Sequence, residues 1–346
     1  LIILLSIITL SFFSTSLYSQ HTYITDKTTR FDKMGIPDGL SSLGITCIHQ
    51  DKFGFIWIGT EFALNLYDGY EVKVFNADPK NPRSIFNGHI SYIYEEDDGT
   101  LWFGTEIGIS KYNRANQTFS NFIHDTINIH NSSNSVQKIL QDDDFLWVDV
   151  WNDFLRFNKK TGKFTSFGKD TINPSKGIYS SLSSYMFIDK QGVLWITTSE
   201  VGDDIDINRF NEFGDDFELN RFNKETETFT HFINDSTDPK SFTGKEVMSI
   251  TEDKNGTLWL ATLDGLLEMT DKEKGKFRQY VHDVSDSNSI ISNELRTVFE
   301  DSKGNIWIGG SGGFSVLNKP TGQFTNYQIP DFSKSHNFFS KSHNLS

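Results

Sequence analysis

Gln50-Asp51-Lys52-Phe53-Gly54-Phe55-Ile56-Trp57-Ile58-Gly59-Thr60 decides the fold, because altered copies of it return along the chain. Six tryptophans keep its phase: Trp57, Trp102, Trp147, Trp195, Trp259 and Trp307, spaced by 45, 45, 48, 64 and 48 residues. Six residues before five of them stands an acid (Asp51, Glu96, Asp189, Asp253, Asp301), and in the third copy Asp142 precedes Trp147 by five. Glycine stands three before the tryptophan at Gly54, Gly99, Gly192, Gly256 and Gly304, and the third copy lacks it. A small pair follows at Gly59-Thr60, Gly104-Thr105, Thr197-Thr198, Ala261-Thr262 and Gly309-Gly310, where the third copy reads Asp149-Val150. Self-similarity at a fixed period is read before local structure, because it dictates the architecture.

Each copy resolves into four short strands, called A to D. In the second copy these are 90–95, 101–105, 109–113 and 118–123, with Asp97-Asp98-Gly99 as a tight turn that needs a positive φ. The D strands share aromatic pairs three apart: Phe119/Phe122, Phe164/Phe167, Phe229/Phe232, Phe277/Tyr280 and Phe324/Tyr327. The segments are rich in β-branched and aromatic residues, and none shows a helical period. Four antiparallel strands every ~45 residues predict an all-β chain, a β-propeller of four-stranded blades. Six blades are countable over residues 34–329, and the expectation is an open ring, or a truncated or imperfectly closed seven-bladed one. Residues 20–33 form an N-terminal segment in which Thr28–Lys33 could add an outer strand to the last blade, removing free edges. The recurrent tryptophan reads as blade-to-blade packing, since burying one removes roughly 150–250 Å² from water.

Composition narrows the function classes. The chain has 346 residues, a formal charge of −14 and a pI near 5.1, which disfavours nonspecific nucleic-acid binding. Its single cysteine, Cys47, excludes an intrachain disulfide and reads as a small core residue. The nine histidines show no zinc spacing, so no metal or cofactor is expected. Residues 1–19 read as a secretory signal peptide without its basic n-region, and no other stretch is apolar enough to span a bilayer. Residues 330–346 repeat Phe332-Ser333-Lys334-Ser335-His336-Asn337 as Phe339-Ser340-Lys341-Ser342-His343-Asn344, a polar tail or truncation scar.

On these residues the chain resembles the two-component regulator propeller repeats, the periplasmic sensor region of hybrid two-component sensor histidine kinases. The resemblance is carried by Asp38-Gly39-Leu40-Ser41-Ser42, by the opening stretch, by Leu64-Asn65-Leu66-Tyr67-Asp68-Gly69-Tyr70, and by Asp78-Pro79-Lys80-Asn81-Pro82-Arg83-Ser84-Ile85, echoed in Asp238-Pro239-Lys240-Ser241-Phe242. It covers about residues 31–329. It implies a periplasmic ligand-binding sensor for a glycan or oligosaccharide, homodimerisation of the full-length receptor, and a kinase part that this chain does not carry. The alternatives are a secreted scaffold for protein–protein interaction and a propeller-type glycan-active enzyme. Only Asp97 fits a sialidase-type Asp box, so no catalytic residue is assigned.

Connectivity nominates a ligand face. Strands reverse direction, so the B-to-C turns share one rim with the D-to-A links, while the A-to-B and C-to-D turns share the other. The varied residues fall on the first rim: Glu61 and Phe62, Glu106, Trp151 with Asn152 and Asp153, and Asp264. Trp151 stands outside the repeat phase beside hydrogen-bonding groups, the combination a sugar site uses. Asp204, Asp206 and Asn208 suggest a calcium loop, but Arg209 replaces its glycine. Duplication explains this segment better: 203–211 recurs as 215–223, and either copy could form strand C.

Overall fold

The alternation of apolar residues with turn residues builds six separate four-stranded antiparallel sheets in a computed structural model of the chain. The structure describes residues 33–151, 153–168, 174–178, 182–199 and 217–328. The strands all lie in one unit, Gly35–Ser346. Blade 1 holds β1 (Ile45–Gln50), β2 (Ile56–Thr60), β3 (Leu64–Tyr67) and β4 (Val72–Phe75). Blade 2 holds β5 (Ile90–Glu95), β6 (Leu101–Thr105), β7 (Gly108–Asn113) and β8 (Thr118–Phe122). Blade 3 holds β9 (Val136–Asp142), β10 (Phe145–Val150), β11 (Asp153–Asn158) and β12 (Lys163–Ser166). Blade 4 holds β13 (Leu182–Ile188), β14 (Leu194–Ser199), β15 (Phe217–Asn223) and β16 (Thr228–Phe232). Blade 5 holds β17 (Val247–Glu252), β18 (Leu258–Thr262), β19 (Gly265–Asp271) and β20 (Lys276–Tyr280). Blade 6 holds β21 (Leu295–Glu300), β22 (Ile306–Gly310), β23 (Gly313–Asn318) and β24 (Gln323–Gln328). In blade 4 the second copy of the duplicated segment, Phe217–Asn223, is the one that enters the sheet.

First strands pack on first strands in succession: β1 on β5, β5 on β9, β9 on β13, β13 on β17 and β17 on β21. They are therefore the inner strands of the stack. No comparable packing joins β21 to β1 among the described residues. Blade 6 draws all four strands from its own copy; of the nominated closing strand, Thr28–Lys33, residues 28–32 lie outside the described residues.

The core sits between blades. Trp57 packs on Phe103 and Tyr112 of blade 2, Trp102 on Phe157 of blade 3, and Trp147 on Phe222 of blade 4. The first five tryptophans are 0 to 3% exposed, but Trp307 is 38% exposed, so packing between blades accounts for five of the six. The D-strand pairs are explained too. Residues three apart on a strand face opposite sides, so Phe119 joins the cluster of Trp57 while Phe122 packs, ring tilted, against Trp102 and Phe157. The glycine after the tryptophan admits the neighbouring blade: a Cβ on Gly104 would stand 2.6 Å from Val136 of β9.

The recurrent acid has a definite task. Asp51 accepts hydrogen bonds from the backbone N–H of Phe53 and Phe55 through one oxygen and from the Trp57 indole N–H at 2.8 Å through the other. Glu96, Asp142, Asp189, Asp253 and Asp301 accept the indole N–H of their own tryptophans at 2.6 to 3.1 Å. The third copy keeps this bond despite its shortened spacing, because Asp143 takes the left-handed conformation at φ 51° that glycine takes elsewhere, as at Gly99 with φ 88°.

Two readings are corrected. The link phrase is offset: Ser84 and Ser241 are the equivalent anchors, each tying back to an aspartate six residues earlier, so Asp78 matches Asp235 rather than Asp238. Cys47 is half-buried at the edge of its cluster rather than inside it.

Candidate functional site

The B-to-C turns are built by the threonine of the small pair. Thr60 Oγ1 accepts the N–H of Phe62 and Ala63 and donates to the Ala63 carbonyl at 2.8 Å; Thr105 and Thr262 donate likewise to Gly108 and Gly265. These hydroxyls are buried and tie each turn to its own backbone. The pair reads as structure, and the tips carry what varies.

The nominated residues occupy these tips. Phe62 is 66% exposed, Glu106 is exposed, and Glu61 donates its N–H to Gly44. Asp264 is turn hardware: its Oδ1 accepts the Lys245 N–H at 3.0 Å and lies 2.8 Å from the Thr262 hydroxyl. Asn152 lies outside the described residues, as do Asp204, Asp206 and Asn208. Trp151 and Asp153 share the third turn; among the described residues no hydrogen bond or ion pair joins the side chains of different nominated turns.

Trp151 is 52% exposed, and its N–H donates to Ser135 O at 3.1 Å. Asp153 is more constrained. Its Oδ1 accepts the Phe154 N–H at 2.7 Å and the Ser166 hydroxyl at 2.8 Å, and Oδ2 lies 3.6 Å from His124 Nε2 of the preceding blade. Burial pushes the Asp153 carboxyl above its ordinary range, and the Ser166 and Phe154 bonds and the nearby His124 only partly offset it. The third turn thus combines a solvent-facing indole with a half-buried acid held by three groups.

A second group was missed from the sequence. Asp149 stands where the other copies have a small residue, 7% exposed, directly opposite Lys138 of the inner strand β9. Lys138 Nζ donates to Met186 O at 3.0 Å and lies 4.1 Å from the ring centre of Tyr185, both on the inner strand of blade 4. Burial pulls the Lys138 amine below its usual value, and Asp149 opposes that. The signal was present in the replacement of the small pair by Asp149-Val150. The third blade therefore carries polar departures at both its rim and its inner strand.

A cavity of about 460 Å³ opens elsewhere, at the first two blades, lined by Phe53, Asp98, Lys111 and Arg114 among others. Its arginine is already paired with Asp51 at 2.9 Å. Among the described residues no three His, Cys, Asp or Glu side chains form a metal-like cluster, and no helix is long and apolar enough to cross a membrane.

Comparison with known proteins places these features. The family model of the two component regulator propeller matches the chain four times, at 39–62, 84–106, 241–264 and 289–312. Histidine kinase P4 of Formosa agariphila is 35% identical over 80 residues, which is 23% of this chain and 6% of the kinase. The extracellular domain assigned to the hybrid two component system BT4673 from B. thetaiotaomicron is 19% identical, covering 83% of this chain and 38% of that one, with a TM-score of 0.37. PorZ, a surface component of the type-IX secretion system of Porphyromonas gingivalis, is 14% identical with a TM-score of 0.57, over 84% of this chain and 42% of its own. That last likeness is one of fold.

Proposed function

We propose, from the four matches to the two component regulator propeller model, that this chain is the ligand-sensing part of an extracytoplasmic receptor, with a glycan or oligosaccharide held at the rim of the third blade. Coupling to a histidine kinase is supported by the family and by the 80-residue likeness to a kinase. The observation that carries the site is the contrast among tryptophans. Five are buried between blades, whereas Trp151 lies on a turn tip, 52% exposed, beside Asp153. A flat apolar surface next to fixed polar groups is what a sugar ring recognises: its C–H face stacks and its hydroxyls bond. The role is binding and transmission, with no step of bond cleavage assigned to any residue.

The test is a Trp151→Ala variant against a panel of oligosaccharides. Affinity for whichever sugar binds should fall by about 1–3 kcal/mol, as for other stacking and hot-spot losses, while the melting temperature stays put. Unchanged affinity, or a collapse in stability, removes Trp151 from the site. If the panel shows no binding and purified protein partners are retained instead, the scaffold reading replaces this one.

A further inference from the structure

Five junctions between blades repeat one ionic contact. The basic residue just past the third strand of each blade reaches back to the tryptophan-bound acid of the blade before it. Arg114 meets Asp51 at 2.9 Å, Lys159 meets Glu96 at 2.5 Å, and Lys224 meets Asp142. Lys272 meets Asp189 at 3.0 Å, and Lys319 meets Asp253 at 2.9 Å. The acids are 2 to 9% exposed, apart from their bonds to indole and backbone, so the cation supplies the counter-charge that burial demands.

The two ends of the stack break the pattern in complementary ways. Asp301 of blade 6 binds Asn305 at 2.8 Å, Trp307 at 3.0 Å and turn N–H groups of its own blade, and the described residues offer it no cation. Around it the outer face of blade 6 presents Trp307 stacked on Phe314 at 5.4 Å and Phe314 stacked on Tyr327 at 4.7 Å. Trp307 and Tyr327 are 38% and 41% exposed, whereas their counterparts in blade 5, Trp259 and Tyr280, pack against blade 6. At the other end, the first blade has no cation to give. Leu66 pairs with Trp57 as Lys111 pairs with Trp102, and three residues on from these stand Gly69 and Arg114.

We infer that the outer face of blade 6 is a docking surface for a further blade of this same repeat, one that carries a lysine or arginine just past its third strand. The occupant is specified by five copies of the same interface: aromatic residues cover the tryptophan and a cation reaches the acid. The first blade of a second copy does not fit, because it would bring Gly69 to Asp301 and leave the carboxylate unpaired.

The experiment inserts a second copy of residues 282–328 after Gln328 in the full chain, with the copied Trp307 changed to phenylalanine. Acrylamide quenching is then read with and without a Trp307→Phe change in the original blade, which isolates its signal. Quenching of Trp307 should drop to the level of the buried tryptophans, and the urea midpoint should rise. The same insertion with the copied Lys319→Glu should lose both effects. Pairing that glutamate with Asp301→Lys should restore them, which separates a charge mismatch from failure to fold. Equal protection by the lysine and glutamate copies, or none by either, overturns the inference. So does sedimentation of the unmodified chain as a dimer that Trp307→Ala dissociates, since the occupant would then be a second copy.

Discussion

The fifth and sixth blades share the acid, the glycine and the tryptophan of the motif at the same spacing, yet their tryptophans stand in different surroundings. Trp259 bonds Asp253, is 3% exposed, and is sealed by blade 6, whose Lys319 bridges Asp253 and Glu300. Trp307 makes the same bond to Asp301 and stacks on its own blade, but nothing described covers it. The repeat motif thus fixes the local geometry of a blade, and the neighbour supplies most of its stabilisation. A single blade cannot bury both faces, so its stability is a property of the interface.

The largest expected effect tests that division. Trp259→Ala should cost about 3–5 kcal/mol, the range for deleting a fully buried tryptophan. Trp307→Ala should cost about 1 kcal/mol, because much of its surface is in water in the folded state. Urea denaturation of both variants gives the comparison directly, and equal losses would mean that blade 6 is sealed in solution.

The next effect is ionic. Lys319→Met leaves two carboxylates, Asp253 and Glu300, without their shared cation. Breaking a buried pair costs about 3–5 kcal/mol, and the quarter-exposed Lys319 side chain reduces this to about 2 kcal/mol. Lys303→Met on the exposed turn of blade 6 should change stability by less than about 0.5 kcal/mol. A loss at Lys319 no larger than that at Lys303 would show that the junction cations are ornamental.

Acid should attack the junctions next. Burial raises the carboxyls of Asp51, Asp189 and Asp253, but the indole bonds and the cations more than undo this, and all three lie below the ordinary carboxylate range. A depressed folded value means the stabilisation is fully present above the unfolded value near 3.9 and is lost as pH falls through the folded values. The urea midpoint should therefore hold between about pH 5 and 7 and fall below about pH 4. Asp253→Asn should flatten that fall, and an unchanged slope would exclude Asp253 from the linkage.

Much of this was legible before any coordinates. The period, the four strands, the outward phase of Trp151 and the packing role of the tryptophans follow from residue types at fixed spacing, because each copy repeats the same local physics. The task of the recurrent acid was hidden, since a spacing of six does not reveal that a turn folds the carboxylate onto the indole. The junction cations were hidden for a different reason: Arg114 and Asp51 are 63 residues apart and belong to different copies. The group of Lys138 and Asp149 was visible only as a broken motif, because its meaning depends on which inner strand lies alongside.

The third blade sharpens the comparison with the smallest effect. It lies inside the stack, so Trp147 is buried like Trp259, and besides its rim and inner-strand changes it departs at the turn where Asp143 replaces the usual glycine. Asp143 holds φ 51°, a left-handed conformation that costs a side-chain-bearing residue but is tolerated best by aspartate and asparagine. Asp143→Gly removes that strain and at the same time loosens the unfolded chain, so the two contributions oppose each other. The net gain should be about 0.5 kcal/mol, small because aspartate was already one of the better residues there. Asp143→Val should instead lose about 1–2 kcal/mol, since a β-branched side chain cannot adopt this φ without clash. Thermal melts of the two variants should move in opposite directions. If both destabilise alike, the 4.0 Å approach of Asp143 to Lys224, which also holds Asp142, matters more than the backbone, and the third turn belongs to the junction rather than to its own blade.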